Sequence, residues 1–238
     1  MEKLVGILLM GGSSERFGGP ENKLLAPLNG NPVFSCSLDV FASCAEFERV
    51  IVVVNKNIVE QVTNYSMTHK YKVEIIEGGQ TRQESVQKAL KYLIPDNNNI
   101  VVIHDAARPL VDKDVILKVA NAATESNFGG ATTFIPMTDT IATFEKDCIS
   151  SFPDRARFVQ IQTPQAFKLK FLLEAHNEAE NLFATDDCSL VYQNGHGIIL
   201  VKGSKKLHKI TTQEDIIYLE GYLKRWKSIK LAKLSKGQ

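Results

Sequence analysis

The chain has 238 residues, long enough for one large α/β domain, or two small ones, with a proper core. Its composition, 44% apolar and 23% charged, is that of an ordinary globular protein. The net charge of +1 lacks the strongly basic balance of a dedicated nucleic-acid binder, so any anion has to be met by local clusters of Lys and Arg.

Residues 4–10, LVGILLM, are continuously apolar and predict a first strand of the kind covered on both faces in a parallel sheet. The loop that follows, GGSSERFGGPENK, fits neither familiar phosphate signature. The dinucleotide pattern fails because Ser13 follows Gly11 and Gly12, and the P-loop fails because Lys23 stands between Asn22 and Leu24. Glycines still let backbone N–H groups approach a polyphosphate, and Ser13 and Ser14 offer further donors. Arg16 and Lys23 add two positive charges, so phosphate binding is favoured over a plain strand-to-helix turn.

A rhythm of helices and strands follows. Helices are expected at about 33–45, 57–70, 81–94 and 112–127, and strands at 50–55, 73–77, 100–104 and 130–135. This predicts an α/β fold with a mostly parallel sheet, right-handed crossovers and helices on its faces. In such sheets ligands bind beyond the carboxyl ends of the strands. Two more loops there are informative. In EGGQTRQESV, Gly78-Gly79 allows a close approach, while Thr81 and Glu84 can equally form a capping box with no ligand. In HDAARP, Asp105 is suited to orient a sugar hydroxyl or a metal-bound water, and Arg108 to take a phosphate bidentately. An Asp105–Arg108 ion pair fixing the turn is the plainer alternative, and His104 is expected to be a buried strand-end histidine.

The rhythm breaks after Pro136. Residues 137–167 alternate short β-like pieces with turns, consistent with a protruding hairpin arm at about 136–160 or with a surface meander. Helices resume near 168–182 and 186–194, where Asp186 and Asp187 meet the positive end of a helix. A strand follows near 197–201. Ile216, Leu219, Leu223 and Trp226 mark a closing helix, capped by Thr211 or Thr212, with a lysine-rich end. No linker or repeat divides the chain, so 1–238 is read as one domain. Cys36, Cys44, Cys148 and Cys188 lack metal-site spacing, so reduced thiols are expected and the reactivity of Cys188 is left open. No apolar run reaches the ~18 residues of a membrane helix and no leader is evident, so a cytoplasmic protein without membrane or nucleic-acid partners is expected.

The ordered set Gly11-Gly12…Arg16…Lys23, GGQTRQESV, HDAARP, Asp139-Thr140, DR…TPQAF and HKIT resembles the 2-C-methyl-D-erythritol 4-phosphate cytidylyltransferases over nearly the whole chain. The resemblance implies a Rossmann-like nucleotidyltransferase core whose β-arm is exchanged within a homodimer. It implies transfer of CMP from CTP to methylerythritol phosphate with Mg2+ and release of pyrophosphate, in isoprenoid-precursor synthesis. By the same resemblance Arg16, Lys23 and Lys209 are catalytic. Met10, Gly11, Gly12, Gly79, Gln80, Arg82, Ser85 and Ala106 bind the nucleotide. Asp105, Arg108, Thr140, Arg155 and Thr163 bind the sugar phosphate, and metal ligands are not assigned. Four positions depart from the family pattern: alanines are usual at Met10 and Gly11, a proline at Asn22, and an asparagine at Leu207. The alternative acceptor is ribitol 5-phosphate. A non-catalytic nucleotide-binding regulator is disfavoured by the retained Arg16, Lys23 and Lys209, and a nicotinamide-dependent dehydrogenase by the missing glycine fingerprint.

Overall fold

The computed structural model describes residues 3–12, 15–18, 22–93, 99–179 and 184–234. The expected donors Ser13 and Ser14, the last residue of the helix predicted at 81–94 and residues 180–182 of the one predicted at 168–182 fall outside them.

The apolar runs form the strands of one sheet: β1 (Lys3–Met10), β4 (Phe47–Val54), β5 (Glu74–Glu77), β6 (Asn99–Asp105), β7 (Gly130–Pro136), β10 (Val159–Lys168) and β11 (Ile198–Lys202). Their order across the sheet is β11-β7-β10-β6-β1-β4-β5. All neighbours pair in parallel except β10, which runs antiparallel to both β6 and β7. Two short ladders stand apart. One pairs β2 (Pro27–Leu28) with β3 (Asn31–Pro32), and the other pairs β8 (Thr143–Glu145) with β9 (Cys148–Ser151). Every residue of β8 and β9 is exposed.

Alternation along the central strands makes two cores. On β1, Leu8 and Met10 join the side packed by α1 (Val33–Ser43), α2 (Val59–Thr68), α4 (Lys113–Glu125) and α7 (Gln213–Leu234). Val5, Ile7 and Leu9 join the other, packed by α3 (Arg82–Leu90), α5 (Leu169–Asn177) and α6 (Asp187–Gln193). Burial of each such side chain stabilises by roughly 1.5–3 kcal/mol, so the middle of the sheet is the rigid part and the loops at its carboxyl edge are held from below. The closing helix uses Ile216, Leu219 and Leu223 as its packed stripe. Among the described residues no helix is long and apolar enough to cross a membrane.

Two expectations change. The short β-like pieces expected at 137–167 end in one long strand, β10, with Pro164 inside it, where proline removes a ladder donor. A register shift between Ile161 and Gln165 accommodates it. The cap of α7 is also reversed: Asp215 is the acceptor, and the N–H groups of Thr211 and Thr212 donate to it.

Candidate active site

The loops leaving β1, β5 and β6 surround a cavity of about 400 Å³, closed on its far side by the segment before α7. Arg16, Lys23, Arg82 and Lys209 supply its cationic wall, Asp105 its carboxylate, and Gly11, Gly12, Gln80, Ser85 and Thr211 its polar floor and rim. A second cavity of about 220 Å³ shares Arg82, Asp105 and Lys209 and adds Arg108, Gln162, Thr163 and Gln165. A third, of about 450 Å³, opens beside Gly12 and is lined by Gly78, Gly79, Gln80, Asn55, Lys56 and Glu84.

Each wall has a local cause. Gly12 sits at φ +105°, a conformation that side chains rarely adopt. Asn22, where the family pattern has proline, accepts the Leu24 N–H on its side-chain oxygen at 3.0 Å and the Leu25 N–H on its carbonyl at 2.8 Å. This Asx turn projects Lys23 inward, and its Nζ donates to the Ile210 carbonyl at 2.9 Å. After β5, the Gly79 N–H donates to Ser85 Oγ at 3.0 Å, Ser85 Oγ donates to the Thr81 carbonyl at 2.8 Å, and Glu84 accepts the Gln80 N–H at 2.8 Å. Thr81 caps α3 by accepting the Glu84 N–H. Half of the expected capping box is realised: Thr81 caps the helix, but the Glu84 carboxylate takes the Gln80 N–H in place of that of Thr81, and Gln80 and Ser85 are left on the cavity wall.

Asp105 is the electrostatic centre. Its Oδ2 accepts from Lys209 Nζ at 2.6 Å, and its Oδ1 from Arg82 Nε at 3.3 Å. Burial opposes its charge, but Lys209, Arg82 and Arg108 overcome burial and hold the carboxyl well below the usual carboxylate range. The Asp105–Arg108 ion pair offered by the sequence is replaced by these partners. Arg108 instead donates to the Leu207 carbonyl at 2.7 Å, and its buried Nε has no hydrogen-bond partner among the described residues. Lys23 is pulled below the ordinary lysine pKa, first by burial and then by Lys209.

His104 is fully buried, as expected of a strand-end histidine. Its Nε2 lies 3.1 Å from the Arg108 carbonyl, which only accepts, so Nε2 carries the proton. Nδ1 then accepts from the Thr163 hydroxyl at 3.0 Å, and that hydroxyl accepts the Asp105 N–H at 3.1 Å. Burial pushes the imidazole pKa down to about 4. A neutral histidine thus fixes Thr163 and the backbone of Asp105.

Several residues expected at the site lie elsewhere in this chain. The Met10 side chain is buried in the core and its carbonyl accepts the Asn55 N–H, so it offers the nucleotide no side chain. Ala106 is buried, with its N–H given to the Leu9 carbonyl, and it is Ala107 that lines the main cavity. Gly79 lines the neighbouring cavity. Thr140 and Arg155 stand exposed on the excursion between β7 and β10, Arg155 donating to the Thr138 carbonyl at 2.7 Å, and neither lines any of these three cavities. Leu207, where asparagine is usual, is fully buried in the core.

Other residues at the site were not expected. Asp187 is buried, ion-pairs with Arg82 at 2.6 Å and accepts a hydrogen bond from His176 Nε2 at 2.9 Å, while Asp186 alone caps α6. Asp187, Leu190 and Val191 occupy one helical stripe, all buried, and that spacing was the available signal. Asp187 is held below the ordinary carboxylate range by Arg82 and His176 against burial. Burial pushes the Cys188 thiol well up, so it is a poor nucleophile.

A glycine loop after the first strand of a mostly parallel α/β sheet, with Arg16, Lys23 and Lys209 converging on one carboxyl-edge cavity, defines an enzyme of the nucleotidyltransferase class. The model of the IspD family, 2-C-methyl-D-erythritol 4-phosphate cytidylyltransferase, matches residues 4–225. The chain belongs to that family. It is 38% identical over 220 residues to the 2-C-methyl-D-erythritol 4-phosphate cytidylyltransferase of Thermosipho africanus, covering 90% of this chain and 95% of the relative. It is 36% identical to the protein of the same name from Dictyoglomus thermophilum, covering 94% and 98%. The crystal structure of 4-diphosphocytidyl-2C-methyl-D-erythritol synthase from Anaerococcus prevotii superimposes with a TM-score of 0.81 at 26% identity, covering 94% of this chain and 96% of that one.

Proposed function

We propose that the cavity at the carboxyl edge binds CTP and transfers its CMP group to 2-C-methyl-D-erythritol 4-phosphate, with pyrophosphate as leaving group. The product, 4-diphosphocytidyl-2-C-methyl-D-erythritol, belongs to isoprenoid-precursor synthesis. One observation carries the reading: Arg16, Lys23 and Lys209, from distant parts of the chain, line the same cavity.

The acceptor's phosphate oxygen attacks the α-phosphorus, the bond from that phosphorus to the bridging oxygen breaks, and the electron pair leaves on pyrophosphate. A phosphate monoester has its second pKa near ~6, so the acceptor is mostly dianionic at neutral pH and requires no general base. The neutral, buried His104 is not asked to be one. Catalysis is then electrostatic: Arg16, Lys23 and Lys209 neutralise charge that builds at the α-phosphate and the leaving group, each contributing on the order of 3 kcal/mol, as single preorganised donors do. Arg108, with an unpartnered buried Nε in the second cavity, faces the acceptor side together with Thr163.

Magnesium ordinarily takes one or two carboxylates and completes its shell with phosphate oxygens and water. Among the described residues no cluster of three or more His, Cys, Asp or Glu forms a protein cage, and Asp105 is the carboxylate on the cavity wall. The residues present fit a shared site: Asp105 and the triphosphate oxygens would hold the ion, which would supply additional positive charge at the α-phosphate.

Thr140 and Arg155 complete the acceptor pocket from a second copy of the chain. Phe144, Ile149, Phe152 and Phe158 are exposed on the same excursion, which supports its burial in a homodimer. The same reading places the enzyme in the cytoplasm.

The test is pyrophosphate release with Mg2+, each of the four nucleoside triphosphates, and either methylerythritol phosphate or ribitol 5-phosphate. Release is expected with CTP and methylerythritol phosphate. Equal rates with all four triphosphates, or faster release with the ribitol ester, would defeat the assignment.

A further inference from the structure

One carboxylate outside the cavity gathers the whole C-terminal wall of the site. Asp215, in the first turn of α7, accepts from five donors on three residues just before the helix, His208, Thr211 and Thr212. Its Oδ2 takes the Thr211 N–H at 2.7 Å, the Thr211 hydroxyl at 2.8 Å, the Thr212 N–H at 2.8 Å and the Thr212 hydroxyl at 3.3 Å. Its Oδ1 takes His208 Nε2. The side chain is only 16% exposed, and these partners hold its carboxyl well below the usual range despite burial.

The segment it folds is short and fully used. The Leu207 carbonyl accepts Arg108, the Lys209 amine reaches Asp105, the Ile210 N–H donates to the Ala107 carbonyl at 2.8 Å, and the Ile210 carbonyl accepts Lys23. Thr211 itself lines the main cavity. A helix cap requires one or two of these bonds; the rest turn residues 208–212 back on themselves. From these contacts we infer that Asp215 is a positioning residue for the transfer reaction: it holds the strap 207–212 in the shape that points the Lys209 amine at the triphosphate and props Lys23 on the Ile210 carbonyl. It lines neither the main cavity nor the second one. The inference rests on the function proposed above.

The test is a double-mutant cycle on pyrophosphate release, with Asp215→Asn, Lys209→Ala and the pair, and with melting temperature as the folding control. Coupled residues give non-additive effects, whereas a general loss of stability multiplies through. Asp215→Asn is expected to lower kcat at least tenfold with the KM for the acceptor within twofold of wild type. On the Lys209→Ala background the same change is expected to cost less than threefold. Glu214→Gln, which alters an exposed acidic residue of the same helical turn, is expected to leave kcat unchanged. Should Asp215→Asn not fold, Thr211→Val removes one hydroxyl bond to the carboxylate and keeps the backbone bonds; a loss of about threefold, absent on the Lys209→Ala background, is expected. A kcat within twofold of wild type, or a full multiplicative loss in the double variant, overturns the role of Asp215. If Lys209→Ala itself releases pyrophosphate normally, it is the assignment of the site that falls instead.

Discussion

The Nζ of Lys209 stands 2.6 Å from Oδ2 of Asp105, tying the C-terminal segment to the end of β6 across 104 positions of sequence. The pair places a lysine and a carboxylate of opposite roles within one cavity wall. Lys209→Ala is therefore expected to lower kcat about 100-fold, the loss typical of one preorganised donor at a developing charge. Stopped assays of pyrophosphate with saturating substrates measure it, and a kcat within threefold of wild type would remove Lys209 from the reacting phosphates.

Lys23 differs, because its amine also rests on the Ile210 carbonyl and its pKa is pulled down by burial and by Lys209. The protonated amine is the active form, so activity on kcat/KM for CTP falls as pH rises through a lysine pKa lower than usual. In Lys209→Ala the neighbouring positive charge is gone, the Lys23 pKa rises, and the alkaline limb moves to higher pH. A limb that stays in place or moves down contradicts the electrostatic assignment.

His104 makes stability depend on pH. Its folded pKa is about 4 against the ordinary 6.5 of a histidine, so between those values the unfolded chain binds the extra proton and the folded one does not. Stability is expected to fall on acidification from pH 6.5 to 4, by up to ~3 kcal/mol from this group. Asp105 and Arg108, two of the charged groups acting on the ring, remain ionised across that window. The carboxylates Asp105 and Asp187 lose their contribution only at still lower pH, because their folded pKa values are depressed. Urea unfolding at pH 7, 6 and 5 checks the slope, which His104→Gln is expected to flatten.

Gly79 has no room for a side chain. A Cβ there would lie 2.3 Å from the Glu84 Cβ and 3.0 Å from the Glu84 backbone carbon, at the start of α3. Gly79→Ala is expected to displace the loop carrying Gln80 and to raise the KM for CTP at least tenfold with a smaller effect on kcat. Nucleotide titration by calorimetry gives the direct reading, and an unchanged affinity would detach this loop from the nucleotide.

On the proposed dimeric reading, Arg155→Ala weakens the acceptor and Lys23→Ala lowers turnover, and the two defects belong to different copies of each site. Mixing the two inactive variants under exchange conditions is expected to restore activity, since each mixed dimer contains one intact site. Absence of any recovery, with mixed dimers demonstrated by mass, would place Arg155 outside the partner's pocket.

Much of this was legible because strands announce themselves by apolar continuity and loops by glycine. The strands β1, β4, β5, β6, β7 and β11 and their helices follow from pattern, Arg16 and Lys23 from charge beside a glycine loop, and Lys209 from the family resemblance. What pattern does not encode is which charge meets which. Arg108 is three residues from Asp105, yet its guanidinium goes to Leu207, while Asp105 takes Arg82 and Lys209 from other elements. Met10 ends a strand beside the glycine loop, but strand alternation sends its side chain into the core. Pro164 disguised β10, a neighbour of both β6 and β7.

The reversed direction of β10 has a mechanical consequence. Because it runs against β7, the chain leaves the sheet after Pro136 and re-enters at Val159 on the same rim, with Ile135 paired to Gln160 and Val159 to Pro136. Both roots of the excursion are thus anchored beside Gln162 and Thr163, a few residues from the acceptor cavity. A parallel strand would have needed a crossover to the opposite rim. As built, the excursion begins and ends on one rim, so whatever covers its tip is tied by two short strand segments to the wall that carries Gln162 and Thr163.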